Sequence, residues 1–274
     1  SYAELRRSEI IAFIEKIGDN TGQVTANRAH AVIRQILNYA LKRDLINANP
    51  ALGIEQMFPE VSRERILNER EIHTLWAFLE AARASAGEGL APGQRLGERP
   101  VNILSPGVAK ALQICLLTLQ RSGEVAGARI EEFNWKERLW IIPADRMKGK
   151  RAHAVPLSAL AMERFQSAFG LSGGQFAFKD RSGEASLDPK RLTRAMNRSC
   201  RHLGLANAGP HDLRRTGRTM MTGEGVGVSY EVAERIIAHR FGSAVSRVYD
   251  RNEYLREKRA ALDRWEDVLR RIVA

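Results

Sequence analysis

The run from Val108 to Leu119 does most to restrict what this chain can fold into. It is almost entirely apolar, with Ala111-Leu112-Gln113-Ile114-Cys115-Leu116-Leu117 at its centre. A helix that is hydrophobic all round has to be surrounded by other elements, so this segment is read as the buried helix of a domain. No apolar run in the chain approaches the ~18 residues of a membrane-spanning helix. Directly beyond the run stands Arg121. A helix that belongs inside the protein therefore delivers a guanidinium at its end.

Further polar residues follow in order: Arg121-x-x-Glu124, Lys148, His211-x-x-Arg214, His239 and, ten positions later, Tyr249. Two guanidiniums can grip the non-bridging oxygens of a phosphate bidentately. A lysine and two histidines can move protons. A tyrosine hydroxyl can attack phosphorus and hold it covalently. Together these groups can cleave a phosphodiester without a metal. R-x-x-E and H-x-x-R each recur by chance, so the order and spacing carry the inference. Each residue has a plainer reading beside it. Arg121 and Glu124 alone suit a helix-end ion pair, and Lys148 and Lys150 a solvated turn. His153 suits a packed histidine or a phosphate contact. Tyr230 and Tyr254 compete with Tyr249.

Charge points the same way. Lys and Arg outnumber Asp and Glu by 43 to 32, a formal charge of +11, which suits a polyanionic partner. The basic residues are dispersed rather than gathered on one amphipathic segment, which favours nucleic acid over a membrane surface. Two isolated cysteines, Cys115 and Cys200, make neither a disulfide framework nor a zinc pattern. With no signal peptide, a cytoplasmic location at the bacterial nucleoid is expected. The chain does not begin with Met, so Ser1 is expected to be a boundary within a longer protein.

Periodicity divides the chain. Ile10, Phe13, Ile14 and Ile17 fall at helical spacing, then a breaker run spans Gly18 to Gly22. Ala29, Val32, Ile33, Ile36, Leu37, Ala40 and Leu41 predict the apolar face of a second helix, with Arg28, Arg34 and Lys42 on its polar face. Asn49-Pro50 closes this block, and Glu55 to Arg65 reads as a linker. Asn68 with Glu71 predicts a capping box. Ser85 to Gly107 lacks periodicity and is long for a loop. Arg138–Pro143 and Ala152–Leu157 predict two strands around a turn carrying Lys148 and Lys150. Asp188 to Leu203 predicts a basic helix bearing Lys190, Arg191, Arg194 and Arg198. An amphipathic tail containing Leu255, Leu262 and Trp265 follows Tyr249.

Across nearly its whole length the chain resembles the tyrosine recombinase (phage integrase) family, of the prophage and genomic-island type. Leu116 to Val125 is similar to that family's first arginine motif. Arg146-Met147-Lys148 with His153 to Ser158 is similar to its lysine hairpin. His211-Asp212-Leu213-Arg214 resembles its H-x-x-R box, Ile236 to His239 its L-G-H box, and Val248-Tyr249 its nucleophile position. Two departures stand out. Leu119 and Ala238 occupy positions where the family usually has glycine.

The resemblance implies a mainly α fold with a small antiparallel β-sheet, the DNA breaking-rejoining catalytic domain, at residues 67–274. Before it would come a partial helical core-binding domain at 1–56 and a linker at 57–66, the two domains forming a C-shaped clamp around duplex DNA. It also implies roles: Tyr249 as nucleophile, His211 as general base, Lys148 as the acid for the leaving 5′ oxygen, and Arg121, Arg214 and His239 on the phosphate. Glu124 and Asp212 would support them. Arg28, Arg34, Lys42, Lys150, His153, Lys190, Arg191, Arg194 and Arg198 would contact DNA. No cofactor or metal is expected, because the arginines supply the charge. The implied partners are double-stranded attachment sites, further copies in a tetramer on DNA although the chain could be a monomer in isolation, and an accessory bending or directionality protein. A type IB topoisomerase or a DNA-binding relic are the rival readings. The tail could pack on its own domain or on a neighbour.

Overall fold

A computed structural model of the chain describes residues 5–60, 64–84, 104–180, 182–223, 225–239 and 254–274. The chain divides into two units, Ser1–Glu64 and Arg65–Ala274.

In the first unit, helix α1 (Arg7–Thr21) and helix α2 (Gln23–Leu41) pack together over Ile10, Ile14, Ala26, Leu37, Ala51 and Ile54. The expected breaker run narrows to one residue: α1 continues through Gly18 to Thr21, and only Gly22, at φ 111°, separates the helices. Gly18 serves packing instead, since a Cβ there would lie 2.6 Å from the Phe58 ring. The buried face of α2 also differs from its apolar periodicity. Ala26, Asn27, His30 and Leu37 are buried, while Val32 and Ile36 are exposed. Asn27 explains the rotation: its Nδ2 donates to Phe58 O and Glu60 Oε1, both at 2.9 Å. Residues 57–60, expected in the linker, are thereby held against α2.

The second unit opens with helix α3 (Glu69–Ala84). Its capping box is complete: Glu71 N donates to Asn68 Oδ1 at 2.9 Å and Asn68 N to Glu71 Oε2 at 3.0 Å. The long aperiodic stretch lies outside the described residues over 85–103. Helix α4 (Pro106–Thr118) is buried throughout from Val108 onward, including Lys110 and Gln113. These two have partners: Lys110 Nζ donates to Ser167 Oγ at 2.6 Å and Gln113 Nε2 to Glu80 Oε1 at 2.9 Å. Helix α5 (Ser122–Ala126) is a short turn after α4.

Three antiparallel strands follow in the order β1 (Phe133–Asn134), β2 (Leu139–Ile142) and β3 (His153–Pro156). Trp140 pairs with Val155 and Ile142 with His153, and the sheet packs through Phe133 and Trp140 onto Phe165 of helix α6 (Ala159–Ser172). Helices α7 (Pro189–His202), α8 (Pro210–Met221), α9 (Tyr230–Ile236) and α10 (Leu255–Val273) complete the unit. The tail packs on its own unit. Trp265 of α10 is fully buried and its Nε1 donates to Leu116 O at 2.9 Å. Leu160 N donates to Glu266 Oε2 at 2.7 Å and Lys258 Nζ to Ala154 O at 2.6 Å. No described helix is long and apolar enough to cross a membrane.

Candidate active site

The turn after α4 rests on a left-handed residue. Leu119 caps the helix at φ 58° and ψ 22°, and is fully buried. That conformation favours glycine, because an L side chain crowds the following carbonyl. Packing holds the leucine there: it covers Gly217 of α8, where an added Cβ would lie 2.2 Å from Leu119 Cδ2. Arg121 then starts α5 in extended conformation. Glu124 returns to it twice. Its Oε2 accepts from Arg121 N and its Oε1 from Arg121 Nη1, both at 2.8 Å. The Glu124 side chain is 4% exposed and that of Arg121 30%. A buried carboxylate thus aims a guanidinium that solvent still reaches.

Helix α8 carries His211, Asp212 and Arg214. Asp212 is buried in the first turn, where it accepts from Gly209 N and from Arg215 Nη1, each at 2.8 Å. It braces the helix start, where backbone donors lack intrahelical partners. Thr216 Oγ1 donates to Asp212 O at 2.7 Å and accepts from Leu67 N at 2.9 Å. Desolvation, then the charges of Arg214 and Arg215, lower the pKa of His211. Its ring is therefore neutral near pH 7 and has a lone pair to offer.

Arg214 is 2% exposed. Its Nη1 donates to Leu119 O at 2.7 Å and its Nη2 to Ile237 O. Leu119 and Ile237 cap α4 and α9, where carbonyls lack intrahelical donors. Nε of Arg214 is buried without a partner among the described residues. Burial, then the charge of Arg121, pushes the Arg214 pKa down to about 10, so the group stays protonated at neutral pH.

Beyond α9 the chain turns at Ala238, φ 48°, the second left-handed position where a glycine is usual. His239 Nδ1 then lies 2.9 Å from Glu234 Oε2, and Arg218 Nε donates to Glu234 Oε1 at 2.8 Å. The carboxylate makes Nδ1 the donor and leaves Nε2 as the ring nitrogen for a ligand. Ile236 O accepts from two further elements: Gln120 Nε2 at 2.9 Å and His153 Nε2 at 3.0 Å. Burial, then the charge of Lys258, pushes the His153 pKa down to about 3. Its ring is neutral, its Nε2–H donates inward, and the residue is 8% exposed. Expected as a DNA contact, His153 is instead committed to the interior.

Lys148 and Lys150 are exposed in the turn between β2 and β3, with Lys150 at φ 54°. On α7, Asp188 caps the start by accepting from Lys190 N at 2.9 Å. Lys190, Arg194 and Arg198 share one exposed face at four-residue spacing, while Arg191 is half-buried. Arg28 and Arg34 are exposed on α2 of the first unit, as is Lys42 at its C-terminal cap. Tyr249 lies within 240–253, outside the described residues. Its competitor Tyr254 starts α10, with the Arg235 guanidinium 4.0 Å from its ring centroid.

Three stretches far apart in the chain thus meet through one side chain. Arg214 bonds the residue two before Arg121 and the residue two before His239. Sequence reasoning missed the supports: Gln120, Glu234, Arg218, Arg146 and Glu132. Gln120 and Arg146 stand within the quoted motifs, but nothing in their spacing marks their partners. Glu234 precedes His239 by five positions, a relation that only a helix ending in a left-handed turn brings into contact.

What the fold and these residues define is a helical domain with an arginine- and histidine-lined site suited to a phosphate. The chain belongs to the phage integrase family, whose model matches residues 103–256. It is 26% identical to the prophage integrase IntA of Escherichia coli (strain K12) over 98% of its own length and 60% of that protein's. It is 27% identical to the integrase of Enterobacteria phage P4 over 97% of its length and 60% of that protein's. The chain therefore spans about 60% of the length of these curated relatives. Among solved structures, a lambda integrase (75-356) dimer bound to a COC' core site matches with TM-score 0.64 and 15% identity, covering 87% of this chain and 80% of that one. The Tn1549 transposon integrase in complex with a circular intermediate DNA matches with TM-score 0.59 and 13% identity, covering 91% and 86%. These likenesses establish the fold.

Proposed function

We propose that the protein is a site-specific DNA recombinase, an integrase that cleaves and rejoins DNA through a 3′-phosphotyrosine to integrate and excise a mobile element. The observation that carries this reading is the pair of hydrogen bonds that Arg214 donates to Leu119 O and Ile237 O, which gathers the Arg121, His211 and His239 stretches at one place. Tyr249 Oη attacks phosphorus and its proton passes to the neutral His211. The 5′ oxygen leaves with a proton from Lys148. Arg121 and Arg214 face the charge that develops on the equatorial oxygens, where preorganised donors act most strongly. His239, held by Glu234 through Nδ1, presents Nε2 to the phosphate. Glu124 and Asp212 orient the arginine and the helix start. The arginines supply the charge that metal ions supply in a two-metal nuclease.

The first unit serves as part of a core-binding domain, with Arg28, Arg34 and Lys42 on phosphates. Lys150, Lys190, Arg191, Arg194 and Arg198 extend that contact on the catalytic unit, within the bacterial cytoplasm. Related folds have been solved as a dimer on a core site and as a tetramer on a Holliday junction, which supports assembly of this chain as a tetramer on paired attachment sites. An accessory bending or directionality protein fits the same scheme. The test is covalent trapping in EDTA on end-labelled attachment-site DNA nicked beside the cleavage point. Wild type is expected to give a denaturation-resistant band that Tyr249→Phe abolishes. A band that survives in Tyr249→Phe overturns the assignment of the nucleophile.

A further inference from the structure

Arg146 precedes Lys148 by two residues. Its side chain is 11% exposed, and that of its ion-pair partner Glu132 is 3% exposed. Nη1 donates to both Glu132 oxygens, while Nη2 donates to Glu124 O at 2.6 Å. Glu132 is held from two more sides: Trp140 Nε1 donates to it at 2.9 Å and Arg129 N at 3.3 Å. Gly127 completes the socket, since a Cβ there would lie 2.8 Å from Arg146 Nη2. One planar guanidinium therefore joins the lysine turn to Glu132, directly before β1, and to α5, which Arg121 caps and which carries Glu124. A lysine at 146 is a point donor and cannot span the carboxylate and the carbonyl together. Met147, beside it, is 4% exposed. Bonds from Arg146 N to Pro143 O (3.1 Å) and from Lys150 N to Met147 O (3.0 Å) close the turn. Lys148 is thus exposed on a turn whose base is anchored by its two preceding residues.

We infer that Arg146 is a positioning residue that sets the reach of Lys148 relative to Arg121. The assignment rests on the recombinase reading of the site. A buried ion pair is weak as a source of net stability compared with apolar side chains of similar volume. What the pair does supply is direction. In the cleavage step the Tyr249 Oη–phosphorus bond forms, with the tyrosine proton going to His211. The phosphorus–O5′ bond breaks, and O5′ takes a proton from Lys148. That last transfer is the one that needs Lys148. Sulfur in place of O5′ leaves as a thiolate, whose conjugate acid has a pKa of only about 8.5 in the cysteine case, so the acid becomes dispensable.

The experiment uses the full-length protein on a nicked attachment-site duplex with either oxygen or sulfur at the bridging 5′ position, following covalent complex formation. The variants are Arg146→Lys and the paired Arg146→Met/Glu132→Met, which removes both buried charges together and so keeps a foldable core. Lys148→Ala and Arg121→Ala are the references. Both Arg146 variants are expected to be slower by roughly ten- to a hundredfold on the oxygen substrate, the scale of a general-acid contribution, and within about threefold of wild type on the sulfur substrate. Lys148→Ala should behave likewise, and Arg121→Ala should stay slow on both. An Arg146 defect of equal size on both substrates overturns the inference, as does full activity of both variants on oxygen. If wild type forms no Tyr249-dependent complex on either substrate, the recombinase reading itself fails and the inference falls with it.

Discussion

Replacing Leu119 with the glycine usual at that position should destabilise the second unit, although the backbone there is left-handed. Relief of the left-handed conformation is worth about 1–2 kcal/mol. Against it stands the loss of a fully buried leucine side chain. Truncating buried leucines to alanine costs about 2.7–5 kcal/mol in transfer and cavity terms. Glycine adds roughly 0.5–1 kcal/mol through the greater freedom of the unfolded chain. The net expectation is a loss of about 2–4 kcal/mol. Gly217→Ala alone should also destabilise, because its Cβ would meet Leu119 Cδ2 at 2.2 Å and Trp265 Cζ2 at 3.2 Å. In the Leu119→Gly background the first clash is gone and the helix gains roughly 1 kcal/mol from alanine. The two changes should therefore couple favourably by about 2 kcal/mol. Urea unfolding followed by tryptophan fluorescence measures all four proteins. Trp76, Trp135, Trp140 and Trp265 all lie in the second unit, so the signal reports on that unit. A stable Leu119→Gly, or strict additivity of the two substitutions, would refute the claim that this leucine is retained for the space it fills.

Ala238→Gly should go the other way, neutral to stabilising by up to about 1 kcal/mol in the same assay, since a methyl is little to lose against left-handed strain. His153 gives a pH signature. Its pKa is about 3 in the folded protein against an ordinary 6.5, so the unfolded chain takes up the proton first as pH falls. Stability from this group is complete above about pH 6.5 and lost progressively toward pH 3, with about 2 kcal/mol gone by pH 5. Unfolding of His153→Asn should lack that part of the pH dependence, and an unchanged slope would count against a neutral buried ring. Alanine at Lys190, Arg194 and Arg198 should weaken DNA binding and lower the slope of log affinity against log salt by roughly one for each phosphate left unneutralised. An unchanged slope in filter-binding titrations would remove α7 from the interface.

How far the sequence could be read depended on how local each signal was. The capping box of Asn68 and Glu71 is a matter of three residues, and it stands as spaced. The apolar run of α4 demanded enclosure, and α3, α6, α7, α8 and α10 supply it. The two tail options were indistinguishable in sequence because an apolar face does not name its partner. Trp265 reaching Leu116 O settles the tail on its own unit. Val32 and Ile36 misled because apolar spacing competes with a buried polar anchor, and Asn27 turned the helix. Arg146 stood in the lysine-hairpin wording, but its partners gave no sign, since they lie 14 and 22 positions away. The glycine departures were visible as departures. That both fall at left-handed φ, and that a leucine tip over Gly217 makes one of them tolerable, emerges only in the folded chain.

The way Arg214 is held has an electrostatic consequence. Arg121 faces a buried carboxylate that offsets its charge, whereas Arg214 is held by two neutral carbonyls. Among the described residues the interior therefore carries a cation that no carboxylate directly pairs, at a cost that the burial-lowered pKa registers. On the proposed function a phosphate in the site would supply that countercharge, which would link occupancy of the site to the integrity of the domain. On the proposed function, the folded domain carries an electrostatic deficit that a phosphate-bearing strand would relieve.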